Sequence, residues 1–198
     1  MRKGDATRLR ILDEATRQAS VRGLAGISLA DIAAPSGLTK SGLFKHFDSK
    51  EAMQRAVLES AFDRFVESVW TASEDLPAGR PRLEAVFDRW LDWCFQGNAS
   101  GGCPLNAMAV ELDDQPGPLR DYLRERQLGW RRYLVEDFKA LSDPPLDEAD
   151  AWQAVFEMKG NILGYSEASR LLEDGRARTQ AKSAFARLLD RLERHVTH

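Results

Sequence analysis

Between Thr39 and Lys50 the chain gathers groups suited to holding a polyanion. Thr39 and Ser41 carry hydroxyls, Lys40, Lys45 and Lys50 carry ammonium groups, and Phe44 and His46 are interleaved with them. Ammonium and hydroxyl donors contact phosphate oxygens, and those on an exposed first helical turn reach base edges. Gly42 has no side chain, so the backbone there can approach a base or a thymine methyl closely. This spacing assigns Lys40, Ser41 and Gly42 to base edges, and Phe44, Lys45 and His46 to the sugar-phosphate walls. Thr39 is both an N-cap and a phosphate donor. Lys50 is expected in the first turn of the next helix, where its ammonium and the helix N-terminus share one phosphate. Catalysis is not in view. His46, His195 and His198 are the only histidines, and the chain has no metal-ligand spacing, no phosphate-cradling glycine loop and no nucleophile–base pair. No cofactor and no metal are expected.

The elements that must position these residues read as helices throughout, and the fold class is all-α. Ile11, Leu12, Ala15 and Ala19 share one face of a helix from about Thr7 to Arg22, which Gly23 stops. Ser28 and Asp31 resemble a capping box for a short helix that turns Leu29, Ile32 and Ala33 inward. Pro35, Ser36 and Gly37 end it, and Pro35 disfavours helix at Ala34. Thr39 opens the next helix, with Leu43 and Phe47 inward. Two short helices joined by a glycine-containing turn make a helix-turn-helix, whose second helix enters the major groove of DNA by its N-terminal half. Asp48 or Ser49 caps a long fourth helix that carries Met53, Val57, Phe62, Phe65, Val66, Val69 and Trp70 and fades towards Pro77. Further helices are expected over 82–95, 104–112, 119–141, 150–172 and 177–196, about nine in all.

Charge follows the same division. Residues 1–50 hold nine basic and five acidic side chains, a net +4, while the remainder holds 19 basic and 26 acidic, a net −7. A cationic head on an anionic body suits a nucleic-acid-binding module beside a separate domain. The expected domains are 1–50, a DNA-binding head, and 51–198, a helical ligand-binding and dimerisation bundle. No apolar run approaches the length of a membrane span. The N-terminus lacks the apolar core of a secretory signal, so the expected location is cytoplasmic, with no membrane partner.

At "TRLRILDEATRQASVRGLAGISLADIAAPSGLTKSGLFKHFDSKEAMQRAVLE", Thr7 to Glu59, the chain resembles the DNA-binding domain of the TetR family of transcriptional repressors. "GGCPLNAMAVELDDQPGP" is similar to a stretch found in one broad subset of that family. The resemblance implies a homodimer whose two heads bind a palindromic operator in double-stranded DNA, with a small-molecule effector in the C-terminal domain changing their separation. It adds Ser28 as a phosphate contact to Thr39, Lys40, Ser41, Gly42, Phe44, Lys45, His46 and Lys50. The family commonly has tyrosine where Phe44 stands, and phenylalanine cannot donate to a phosphate. Ala19 stands where a large aromatic is usual.

In the C-terminal half, Trp90, Trp93, Cys94, Met108, Trp130, Tyr133, Phe156 and Tyr165 would line a pocket for a largely apolar effector. Asn106, Glu111, Glu157, Lys159 and Asn161 are polar residues amid apolar neighbours and are candidate handles that orient an effector. Gly160 and Gly164, four apart, let another helix approach, and Phe185, Leu188, Leu189 and Leu192 form an apolar stripe on the last helix. These six are the expected dimer interface, a four-helix bundle about a two-fold axis. Two other readings stand beside this one. Cys103 before Pro104 lies at a helix start that lowers a thiol pKa, which would suit a thiol-based sensor on the same scaffold. A small all-α binding protein or enzyme would use the aromatic cavity.

Overall fold

The computed structural model describes residues 3–33, 35, 37, 39, 42–43, 46–96 and 101–195. Among the described residues the regular structure is helical, with eight α-helices and no strand. Helix α1 (Lys3–Arg22) begins earlier than its apolar spacing predicts. Its inward face is as read: Ile11, Leu12, Ala15 and Ala19 are buried. Gly23 adopts φ +75°, and its N–H donates to Ala19 O at 2.9 Å, the left-handed ending that glycine permits. The Asp31 N–H donates to Ser28 Oγ at 3.2 Å and the Ser28 hydroxyl donates to Asp31 Oδ2 at 2.7 Å, which caps α2 (Leu29–Ala33). The second helix is therefore a short one, with Ile32 and Ala33 buried.

Gly37, at φ +67°, makes the turn. The Gly42 N–H then donates to Thr39 Oγ1 at 3.1 Å, and the Leu43 N–H to Thr39 O at 3.1 Å. Thr39 is thus the N-cap of the next turn of helix, and Leu43 and Phe47 point into the core. Of the two candidate caps that follow, Ser49 is the one used: its Oγ accepts from the Ala52 N–H at 3.0 Å at the start of α3 (Lys50–Phe65).

The chain forms two compact units, Met1–Phe65 with Gln96–Glu125, and Val66–Phe95 with Arg126–His198. They do not follow a division at residue 50. Helices α3 and α5 (Pro104–Leu112) belong with the helix-turn-helix, because both bury apolar faces beside α1. Met53, Val57, Leu58 and Ala61 come from α3, and Leu105, Met108 and Leu112 from α5. Pro104 occupies the first position of α5, where its missing N–H costs nothing. Gly101, just before it, lies so close to the Ser20 backbone that a β-carbon there would collide.

In the second unit the long helix expected to fade near Pro77 instead changes type. Residues Val66–Trp70 form a π-helical turn and Thr71–Ser73 a 3₁₀ turn. The inserted residue of a π turn re-aims side chains, and Trp70 here meets Trp130 and Tyr133, each with ring centroids 5.6 Å away. Helix α4 (Arg80–Gln96), the later part of α6 (Pro118–Lys139), α7 (Glu148–Arg170) and α8 (Ala177–His195) complete this unit. Asp147 caps α7 by accepting the Asp150 N–H at 2.8 Å. Phe87 and Phe185 stack at 4.1 Å, with the Phe138 ring edge-on to Phe185 at 6.5 Å. Antiparallel α4 and α8 are also joined by ion pairs: Arg178–Asp92 at 2.6 Å, Lys182–Asp88 at 2.9 Å, and Arg80 with Glu193 and Asp190.

Candidate functional site

The helix-turn-helix assembles from short-range capping. Each polar residue at a helix start has a backbone N–H to satisfy, and each assignment costs it some freedom to meet another ligand. Ser28, expected at a phosphate, has its hydroxyl engaged with Asp31. The Thr39 Oγ1 accepts the Gly42 N–H at the start of the next helical turn. Gly42 lies in the first turn behind that cap. His46 is half-buried, and its carbonyl accepts from Arg8 Nη1 at 2.6 Å while the Arg8 guanidinium lies 4.5 Å from the centre of the Phe47 ring. Lys50 is exposed at the N-terminus of α3, and its Nζ donates to Ala25 O at 3.1 Å. Lys40, Ser41, Phe44 and Lys45 lie outside the described residues.

The turn between α1 and α2 is held from two helices. Gln54 Nε2 donates to Leu24 O at 2.9 Å and Lys50 Nζ to Ala25 O, both from α3. From α5, the Glu111 carboxylate accepts the Leu24 N–H at 2.5 Å and the Ala25 N–H at 2.6 Å. Glu111 is therefore not a polar handle for an effector. Nothing in its local sequence names this partner, which lies more than eighty residues away; its one local mark is a carboxylate next to the buried Leu112 on a helix that also buries Met108.

The expected pocket residues separate. Trp90 and Trp130 are buried and meet edge to face at 5.8 Å, and Lys159 Nζ lies 5.1 Å from the centre of the Trp90 ring. Trp93, Cys94 and Tyr165 are buried in the same unit. Burial raises the Tyr165 hydroxyl above its ordinary pKa, against the pull of the neighbouring Arg178 cation. The other three lie in different surroundings. Met108 belongs to the core of the helix-turn-helix unit, because α5 packs on α1. Tyr133 and Phe156 are 62% and 70% exposed, the Tyr133 ring still meeting Trp70 on one side.

The residues of the expected dimer face differ in exposure. Phe185, Leu188, Leu189 and Leu192 are at most 8% exposed, since α8 turns its apolar stripe into its own protomer. Gly160 and Gly164 are exposed, on the side of α7 that also exposes Phe156 and Leu163. Beside them runs a groove between α7 and α8, lined by Glu157, Asn161, Ala184, Arg187 and Arg191. Glu157 accepts from both Gln153 and Arg191, and the Arg191 bond holds its carboxyl below the ordinary range.

One buried carboxylate escaped the sequence reading. Asp137 on α6 is almost fully buried, paired through Oδ1 with Arg82 Nη1 at 3.1 Å, and its Oδ2 has no hydrogen-bond partner among the described residues. Burial pushes its pKa up to about 6, against the opposing pull of Arg82. Among the described residues no group of His, Cys, Asp or Glu is arranged to hold a metal ion, and no helix is long and apolar enough to cross a membrane.

Comparison with known proteins agrees with this architecture. Residues 11–57 match the bacterial regulatory proteins of the tetR family, and residues 79–185 match the tetracyclin repressor-like C-terminal domain. The HTH-type transcriptional repressor DhaR of Mycobacterium sp. (strain GP1) is 29% identical over 134 residues, which take in 67% of this chain and 63% of DhaR. The match thus spans less than two-thirds of that relative's length. A TetR transcriptional regulator from Chloroflexus aurantiacus J-10-FL superposes with a TM-score of 0.80 at 28% identity, over 96% of each chain. AibR, solved with isovaleryl coenzyme A and operator DNA, gives a TM-score of 0.73 at 24% identity, over 92% of this chain and 98% of that one, a likeness of fold. With the N-terminal match falling on the capped helix-turn-helix and the C-terminal match covering more than half of the chain, this protein belongs to the TetR family of DNA-binding transcriptional regulators.

Proposed function

We propose that the chain acts as a homodimeric repressor that leaves a palindromic operator when a small, largely apolar effector binds its C-terminal half. The observation that carries this reading is the pair of short, side-chain-capped elements at Ser28 and Thr39, separated by the Gly37 turn. That arrangement offers the first turn after Thr39 to a groove and the N-terminus of α3, with Lys50, to a phosphate. Thr39, Lys40, Ser41, Gly42, Phe44, Lys45, His46 and Lys50 are the proposed contacts. Ser28 contributes in the first place by capping. In functional terms residues 1–50 read DNA and residues 51–198 sense and dimerise.

Two heads that read successive major grooves on one face of DNA must sit about 34–36 Å apart, or a multiple of that. An effector changes occupancy only if it binds the non-docking arrangement more tightly. The Trp90, Trp93, Cys94, Trp130 and Tyr165 region is the proposed effector site. Its indoles already pack on one another, so an apolar ligand would enter by parting them. The binding of isovaleryl coenzyme A by AibR supports an acyl-bearing effector as one candidate. For the dimer, the exposed Phe156, Gly160, Leu163 and Gly164 on α7 replace the buried leucines of α8 as the proposed contact.

A small-molecule effector is preferred to a thiol switch, since Cys94 and Cys103 are both buried and buried thiols are poorly reactive. The assignment is non-enzymatic, and the proposed location is cytoplasmic, where such a regulator meets DNA. Selecting duplexes from a random pool with the purified full-length protein tests the reading. A palindromic consensus with half-sites one helical turn, or a multiple, apart is expected. Enrichment without symmetry, or retention no better than that of an unrelated polyanion, would sink it.

A further inference from the structure

The loop between α1 and α2 forms an anion-binding concavity, and the protein fills it from its own chain. A left-handed Gly23 at φ +75° after the helical Arg22 aims successive N–H groups to one side, the geometry of a backbone nest. Both oxygens of one carboxylate occupy it, Glu111 Oε2 on Leu24 and Oε1 on Ala25. A β-carbon at Gly23 would collide with that carboxylate, so the glycine is needed for its φ and for its lack of a side chain. The carbonyls of the same two residues are taken by Gln54 and Lys50. Helix α3 thus holds the acceptor side of the turn and α5 the donor side. A carboxylate on two backbone N–H groups makes charge-assisted hydrogen bonds, the strong kind. The turn leads directly into α2, and α5 follows in sequence the helix that carries Trp90, Trp93 and Cys94.

We propose that Glu111 is a positioning residue for operator binding: through it α5 fixes the helix-turn-helix so that two heads dock together. The inference rests on the two-headed, effector-released reading above. Without Glu111 the head keeps its own core of Ile11, Ile27, Ile32, Leu43 and Met53, but its entry turn is no longer tied to α5. Reading one half-site needs only a folded head. Reading the palindrome needs two heads at a fixed separation.

The experiment compares full-length Glu111→Ala, Glu111→Gln and wild type on the selected palindrome and on a duplex carrying one half-site, with the thermal midpoint recorded for each. For Glu111→Ala, a loss of about tenfold or more on the palindrome is expected, with half-site binding changed by less than about twofold. The thermal midpoint should move by no more than about 4–8 °C. Glu111→Gln, which keeps one acceptor oxygen and the side-chain shape, should fall between. Gly23→Ala, which drives the carboxylate out of the nest, should reproduce the palindrome defect and add little in the Glu111→Ala background. Equal losses on both duplexes would mean that Glu111 only stabilises the head, and unchanged binding on both would remove its role; either result overturns the proposal while leaving the regulator assignment intact. A wild-type protein with no preference for the palindrome would overturn both.

Discussion

The two compact units of this protein are held together by different chemistry. Around the helix-turn-helix, most long-range polar contacts run from side chain to backbone: Arg8 to His46 O, Gln54 to Leu24 O, Lys50 to Ala25 O, and Glu111 to two N–H groups, beside one ion pair of Arg64 with Asp13. In the unit of α4, α7 and α8 they run from side chain to side chain, as the ion pairs of Arg80, Lys182 and Arg178, over an aromatic core. A contact to backbone fixes the shape of a loop, and the helix-turn-helix is mostly loop and short helix. A contact between side chains fixes the register of helices that would form anyway. The first unit is thus fixed by loop shape and the second by the packing of its helices.

The comparison is sharpened most by the aromatic core. Phe185→Ala removes the ring stacked on Phe87 and should cost about 3–5 kcal/mol, read by denaturant unfolding. A loss no larger than that of an exposed substitution would mean that the stack is not what holds α4 to α8. The next effect is one of pH. The Asp137 folded pKa of about 6 lies above the ordinary aspartate value of ~3.9. The folded state therefore binds the proton more tightly than the unfolded state, and stability falls as pH rises from about 4 to about 6. Asp137→Asn keeps the bond to Arg82 and should flatten this dependence, worth about 3 kcal/mol across the window. An unchanged pH profile would assign the dependence to other groups.

Backbone-directed contacts should give smaller but functional effects. Thr39→Ala removes the acceptor of the Gly42 N–H and should cost about 1 kcal/mol in stability, with operator affinity falling alongside because the reading turn loses its cap. Retained affinity would show that DNA itself orders that turn. The smallest effect belongs to the ion-pair ladder. Lys182 and Asp88 are each about half exposed, and Lys182→Met should change stability by less than about 1 kcal/mol. A larger loss would break the contrast, making ionic register the determinant in place of the phenylalanines.

Much of the first unit was legible because its rules are local. Gly23, Ser28, Thr39 and Ser49 act on backbone groups within four residues, and the inward positions Ile11, Leu43 and Phe47 follow the helical repeat. The π turn at Val66–Trp70 was not legible, since it preserves helical periodicity on either side and differs only by one inserted residue. Nor were the partners of Asp137 and Glu111, which lie across long separations in sequence. The apolar stripe of α8 names no partner for a related reason: an apolar helix face says that something covers it, and Phe185, Leu188, Leu189 and Leu192 are already largely buried within the protomer.

Helix positions, caps and the cationic head are written in nearest-neighbour chemistry, so the amino-acid order alone determined them. Which apolar face meets which, that α5 joins the helix-turn-helix unit, and that a glutamate from it closes the α1–α2 turn were decided only in three dimensions. Those pairings depend on packing between segments that have no neighbour relation along the chain, and apolar surface can be buried against many partners at nearly the same gain.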